Sequence, residues 1–172
     1  MKATDVFYIV MHCTAGYGNV ASIKRFWKET LGWKSPGYHV VIDLDGTKHY
    51  LQDFDKPTNG VKSYNGQCLH ISYIGGVDPD NYSKAKDTRT KAQKIAMLEV
   101  AIEMIMYLKK NGKDVARELM ILGHRDFSVD QNKDGIIASW ERIKECPSFD
   151  AIPEFEWIGA TNKVQLLPYN RK

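Results

Sequence analysis

Cysteine is scarce in this sequence: three residues, at 13, 68 and 146, an odd number with no Cys-x-x-Cys spacing. That excludes a disulfide framework, so each thiol needs its own explanation. No apolar run approaches the roughly 18 residues that a membrane-spanning helix requires. The opening Met1-Lys2-Ala3-Thr4-Asp5 has neither an apolar h-region nor a small-residue cleavage site, so the expectation is cytoplasmic synthesis, or a mature form trimmed beforehand. Repeats and low-complexity linkers are missing too. Charge of one sign is nearly balanced, with 24 Lys and Arg against 21 Asp and Glu, a net +3. So weak and scattered a balance argues against a nucleic-acid partner and suits a polyanionic surface.

What is present is a chain of 172 residues, 43% hydrophobic and 26% charged. That length and composition predict one soluble domain with its own core. Residues 7–11 (FYIVM) read as a buried strand. Ile23, Phe26, Trp27 and Leu31 recur at helical spacing until Gly32. Residues 38–42 and 47–51 flank Asp43-Leu44-Asp45-Gly46, a hairpin signal with Gly placed for positive φ. Residues 69–74 form another strand, stopped by Gly75-Gly76. The longest helix is expected over 88–110, with Ile95, Leu98, Ala101, Ile102, Ile105, Met106 and Leu108 as its apolar face and Asn111-Gly112 as its end. A strand at 119–122, a short helix near Trp140 and a tail follow. Strands alternating with helices over one core predict an α/β or α+β domain, a central mixed sheet flanked by helices.

His12 follows the first strand, His124 follows the last, and Cys146 lies in Lys-Glu-Cys-Pro-Ser-Phe-Asp. Two imidazoles and a thiolate leave a tetrahedral zinc with one open position, the arrangement of a catalytic site. Zinc in such a site brings the pKa of its bound water from about 15.7 to about 7. The bland alternatives are strand-end histidines at the surface and a cysteine serving as a small buried hydrophobe.

Residues 10–15, Val-Met-His-Cys-Thr-Ala, resemble the opening motif of the zinc-dependent N-acetylmuramoyl-L-alanine amidases, a family that includes phage endolysins and the peptidoglycan recognition proteins. Further landmarks occur in order: Phe26-Trp27 to Gly32-Trp33, then Gly37-Tyr38-His39-Val40-Val41-Ile42 with Asp45-Gly46-Thr47. Tyr64-Asn65, Tyr73-Ile74-Gly75-Gly76, Gly123-His124-Arg125-Asp126 and Lys144-Glu145-Cys146-Pro147 complete the series. The resemblance covers about residues 6–152 of a single 1–172 domain, with 153–172 a C-terminal tail. It implies that His12, His124 and Cys146 ligate zinc and that Tyr38 and Lys144 are catalytic. Tyr38 would orient water or hydrogen-bond the intermediate, or else stand as a rim aromatic against sugar; Lys144 would stabilise developing charge. The implied substrate is the lactyl amide between N-acetylmuramic acid and L-alanine of peptidoglycan, cleaved by a monomer acting at the cell wall. His39 is expected to be structural, and His49 and His70 to lie outside the site. Two departures stand out. Where many members have Gly-Ala-His or Gly-Ser-His before the Tyr-Asn pair, this chain has Thr58-Asn59-Gly60-Val61, so a groove histidine is missing. Where the next strand normally reads Ser-Ile-Gly, this chain has Cys68-Leu69-His70.

A second metal pattern lies between His124 and Cys146. Counted from Asp130, oxygen donors fall where an EF-hand loop has them: Asp130, Asn132, Asp134, the Ile136 carbonyl and Glu141, with Gly135 at the turn and water in place of Ala138. The preceding segment is not helical, so the expectation is a solitary calcium loop with a structural role, against an acidic turn without metal. Three functions follow: a zinc amidase, a peptidoglycan-binding module without turnover, and a thiol hydrolase using Cys13 or Cys68. Cysteine at 146 favours the first, because binding-only members typically carry serine there.

Overall fold

The computed structural model describes residues 1–158 and Pro168. In chain order the strands are β1 (Tyr8–Cys13), β2 (Val40–Ile42), β3 (Lys48–Tyr50), β4 (Cys68–Tyr73), β5 (Val77–Asp78), β6 (Asn81–Ala85) and β7 (Met120–Gly123). The α-helices are α1 (Val20–Arg25), α2 (Lys91–Lys110), α3 (Val115–Glu118) and α4 (Ala151–Glu154). Five strands form one mixed sheet in the order β3-β2-β4-β1-β7, and β5 and β6 form a separate hairpin. β1 runs parallel to both β4 and β7, β2 runs parallel to β4, and only β3 is antiparallel. The expected α/β architecture with a mixed sheet is therefore present.

Alternation divides the sheet into two faces. Ile9, Met11 and Cys13 of β1 join Leu69, Ile71 and Tyr73 of β4 and the buried stripe of α2 in the main core. Tyr8 and Val10 face the other way with Cys68, Met120 and Leu122. His12, His70 and Ser72 are in step with that second face and are fully buried. The second face therefore turns polar at the carboxyl ends of its central strands.

The 43–46 hairpin forms as expected: Gly46 takes φ +90°, its N–H donates to Asp43 O at 2.9 Å, and Asp45 Oδ1 accepts from Thr47 N at 2.9 Å. The 23–31 helix is split. α1 starts on an Asn19 cap, which accepts from Ser22 N at 2.9 Å. It then widens into a π-type turn over Phe26–Thr30 that buries Trp27 and leaves Phe26 exposed.

α2 begins at Lys91, on a capping box in which Thr90 and Gln93 exchange side-chain-to-backbone bonds at 3.0 Å. Its inward face differs from the expected one. Gln93, Ala96, Met97, Val100, Ala101, Met104 and Leu108 are buried, whereas Ile95, Ile102 and Met106 are exposed. The buried set keeps the i, i+3, i+4, i+7 spacing, and apolarity alone misled because Gln93 is bonded in the interior. Its Nε2 donates to Ile42 O at 3.3 Å and to Ile74 O at 2.9 Å, tying the helix to the sheet. The short turn near Trp140 is a single 3-10 turn, Ser139–Glu141. The expected tail lies, from residue 159 and apart from Pro168, outside the described residues.

Candidate metal centre

His12 sits near the carboxyl end of β1, and His124 opens a 3-10 turn directly after β7. Their ring centroids are 4.9 Å apart, and His12 Nδ1 lies 3.6 Å from Cys146 Sγ. One donor atom from each of His12, His124 and Cys146 lies within 4.8 Å of the others. Among the described residues no other trio of His, Cys, Asp or Glu gathers its donor atoms in this way.

Cys146 is far away in sequence and is fastened to the sheet by its neighbours. The Arg125 N–H donates to Cys146 O at 2.8 Å, and the Tyr73 hydroxyl donates to Pro147 O at 2.8 Å. The Cys13 N–H points at Cys146 Sγ from 3.3 Å. A Cβ at Gly123 would fall 2.5 Å from Pro147 Cδ, so only glycine lets the end of β7 press against this segment. Arg125 also pairs with Asp150, just beyond it.

Burial, more than any neighbour, pushes the His12 pKa well down, with His124, His70 and Lys144 adding to the effect. Burial and then Lys144 bring His124 to about 4. Both imidazoles are therefore neutral at physiological pH and have lone pairs to give. Burial pushes the Cys146 thiol up, while Lys144 favours its thiolate. Two neutral imidazoles and a thiol make a donor set that fits zinc.

The site opens into a cleft of about 540 Å³ walled by Trp33, Tyr64 and Phe127, with Tyr38, Lys144 and Lys62 on its lining. The Tyr38 ring is 4.8 Å from that of His12 and meets Trp27 edge-on at 5.4 Å. Burial, then the nearby Cys146 and Cys13, push the phenol up, so it stays protonated. The structure thus brings Tyr38, His124, Lys144 and Cys146 to one cleft, with fully buried His12 packed directly behind them against Tyr38, His124 and Cys146.

One expectation about histidine needs revision. His70 is not outside the site, because its Nδ1 lies 3.0 Å from His12 Nε2. It also fills the volume that a side chain at Gly60 would need: a Cβ there would stand 2.6 Å from His70 Cγ and Cε1. The signal was present in β4, where Cys68, His70 and Ser72 alternate with Leu69, Ile71 and Tyr73, but it needs the β1–β4 register to be read. His39 has both ring nitrogens engaged, with Lys56 O and the His70 backbone N–H, each at 3.0 Å. His49 pairs with Asp43 at 2.7 Å, away from the centre.

The other thiols do not form a nucleophile–imidazole pair. Cys13, brought to about 7 chiefly by its hydrogen bond with Cys146, has Ser148 Oγ as its other partner at 3.7 Å. Cys68 is fully buried, and burial pushes its thiol up.

The 130–141 loop does not gather its carboxylates. Asp130 Oδ1 and Oδ2 accept from Lys133 N and Gly135 N at 2.7 and 2.9 Å, and Asp134 Oδ1 accepts from Ile136 N at 2.8 Å. Asn132 Oδ1 accepts from Asp134 N at 3.0 Å, and buried Glu141 accepts from Gln131 N and Ala138 N at 2.7 and 2.8 Å. These oxygens satisfy the loop's own amides, so the geometry lends the calcium expectation no support.

Two imidazoles and a thiol gathered at the end of a mixed sheet, beside an aromatic cleft, define an α/β protein with a candidate metal centre. The sequence profile of the N-acetylmuramoyl-L-alanine amidases matches residues 2–147, and the chain belongs to that family. It is 27% identical over 153 residues to the endolysin of Klebsiella phage KP32, covering 87% of this chain and 85% of that one. Its fold is similar to that of the N-acetylmuramoyl-L-alanine amidase LysC from Clostridium intestinale URNW (TM-score 0.59, 17% identity, 95% of this chain and 85% of that one). Human PGRP-IBETAC in complex with glycosamyl muramyl pentapeptide is also similar in fold (TM-score 0.62, 15% identity, 92% and 87% covered).

Proposed function

We propose that this chain is a zinc-dependent hydrolase of the lactyl amide between N-acetylmuramic acid and L-alanine in peptidoglycan. The observation that carries the reading is the convergence of the His12, His124 and Cys146 donor atoms, two of the three residues lining the cleft and His12 buried just behind them. Zinc held by these three residues supplies Lewis acidity and water activation. Water adds across the amide: the C–N bond breaks, the lactyl carbonyl gains the hydroxyl, and the alanine nitrogen gains the proton. Lys144, an ammonium on the cleft lining, holds the negative charge that builds on the carbonyl oxygen. Tyr38 acts as a hydrogen-bond donor, because burial keeps its phenol protonated. The aromatic walls suit the faces of sugar rings, and Lys62 suits a stem-peptide carboxylate.

All of these groups come from one chain, so the proposed enzyme works as a monomer. By analogy with the endolysin relatives, it would be made in the cytoplasm and act on the cell wall. No described helix is long and apolar enough to cross a membrane. The test measures zinc content and new alanine amino termini released from purified peptidoglycan, for wild type and Cys146→Ser. One zinc per chain, lost together with amine release in the variant, is expected. Amine release from zinc-free wild type would sink the metal reading, and zinc without amine release would leave a binding module. For Asp130, Asn132, Asp134, Ile136 and Glu141 the calcium proposal rests on sequence pattern alone. Calorimetric titration with Ca²⁺ is expected to show one site, and no binding heat would retire it.

A further inference from the structure

The buried imidazole of His70 has no part in the reaction proposed above, yet its ring is held on several sides. Its Nδ1 lies 3.0 Å from His12 Nε2. His39 stacks on it at 5.8 Å with an interplanar angle of 18°. Gly60 closes another side so tightly that a Cβ would stand 2.6 Å from two ring atoms. His39 is itself fixed. A backbone N–H can only donate, so His39 Nδ1 accepts from His70 N, and the His39 proton sits on Nε2 and is donated to Lys56 O.

We infer that His70 is a positioning residue for His12: its Nδ1 accepts from His12 Nε2–H and so leaves the His12 Nδ1 lone pair facing Cys146 and His124. The inference rests on the zinc reading and names the group that orients the first ligand. A neutral imidazole carries one proton, and a nitrogen that ligates a metal must be bare, so the other nitrogen must carry the proton. His12 is fully buried, and a buried donor without an acceptor is destabilising. His70 Nδ1 stands at the right place to accept. His70 must then carry its own proton on Nε2, a buried atom that finds no hydrogen-bond partner among the described residues. A side chain kept only for packing has no reason to leave a polar atom orphaned at this position; one kept to orient His12 does. His70 acts through His12 and touches neither metal nor substrate.

The test titrates zinc, against a chromophoric chelator, into metal-free wild type, His70→Leu, His70→Asn and Gly60→Ala. Metal-free melting temperatures and the ¹⁵N shifts of His12 in the zinc-loaded proteins are read alongside. Asn offers an oxygen near the place of Nδ1, whereas Gly60→Ala crowds the ring without removing it. Zinc affinity is expected to fall about 10–100-fold in His70→Leu, with its metal-free fold retained, and to recover in His70→Asn. Gly60→Ala is expected to weaken binding in the same direction. The wild-type shifts should show a protonated Nε2 and a coordinated Nδ1 on His12. Should His70→Leu fail to fold, the other two variants decide: His70→Asn near wild type with Gly60→Ala weakened upholds the role, and any other pattern overturns it. Unchanged affinity in His70→Leu, or equal loss in Leu and Asn, overturns the role and leaves the zinc reading standing. Wild type that takes up no zinc overturns both.

Discussion

Tyr38 and Lys144 flank the same centre from opposite chemical positions, one a phenol held neutral and the other an exposed ammonium. Tyr38→Phe removes a hydroxyl and nothing else, so zinc content should stay at wild type while kcat falls about 100-fold. Lys144→Met should also spare the metal and lower kcat by about 100–1,000-fold, as loss of a charge-stabilising donor does. Metal analysis beside turnover checks both variants, and loss of zinc in either would move that residue from catalysis to site construction. At this scale the sequence was legible where motif order singled out residues that the fold gathers, as at His12, His124 and Cys146. It was opaque at His70. Its neighbour His12 lies on a different strand, and only the parallel register of Val10 with His70 and of His12 with Ser72 brings the two rings together. The calcium pattern is legible in residue types alone: the same oxygens accept from the loop's own amides, and the structure adds nothing for or against an ion there.

Among the elements, α2 depends on a polar residue in its buried stripe. Gln93 caps the helix through Thr90 and is the hydrogen-bond donor that reaches Ile74 O. Gln93→Leu would keep the volume and orphan that carbonyl, at a cost of about 2 kcal/mol read as a shift in the urea midpoint. An unchanged midpoint would mean that the capping box and the bond to the sheet contribute nothing net. The helix itself was legible from its length, its apolar spacing and its Asn-Gly stop, though its threonine cap at Thr90 was not. Its inward face was not, because Ile95, Ile102 and Met106 are apolar yet point to solvent, while Gln93 is polar yet points to the sheet. The β5–β6 hairpin escaped for a related reason: β6 is exposed along its whole length and carries no core-facing alternation.

The molecule as a whole keeps a row of uncharged histidines inside. Burial lowers His39 from 6.5 to about 4, against a raising influence from its bond to Lys56 O. Its folded pKa lies below the unfolded value, so the unfolded chain takes up the proton first. Stability is therefore fully present above pH 6.5 and is lost as the pH falls toward about 4. For His39 alone the loss is on the order of 3 kcal/mol, and buried His12, His70 and His124 act with the same sign. Chemical unfolding of the metal-free protein through this range should show the decline, with a shallower slope in His39→Gln. Parallel slopes would mean that acid acts elsewhere. The sheet, its helical cover and the metal trio were all legible at this scale, because strand alternation and motif order are properties of the chain itself.

The neck of the 129–142 excursion has an evolutionary consequence. Ser128 Oγ donates to Arg125 O at 2.6 Å and accepts from Ile143 N at 3.0 Å, pinning the two ends of the excursion together. Cys146 is meanwhile held from the sheet side, by Arg125, Tyr73 and the Gly123–Pro147 contact. The segment between the second and third ligands is thus a detachable lobe rather than a spring under tension. Insertions and deletions there change what hangs beside the cleft, with exposed Ile136 and Trp140 as its present outer surface, and leave the ligand frame untouched. A lineage can therefore revise this outer surface by changing loop length, without disturbing the His12, His124 and Cys146 cluster beneath it.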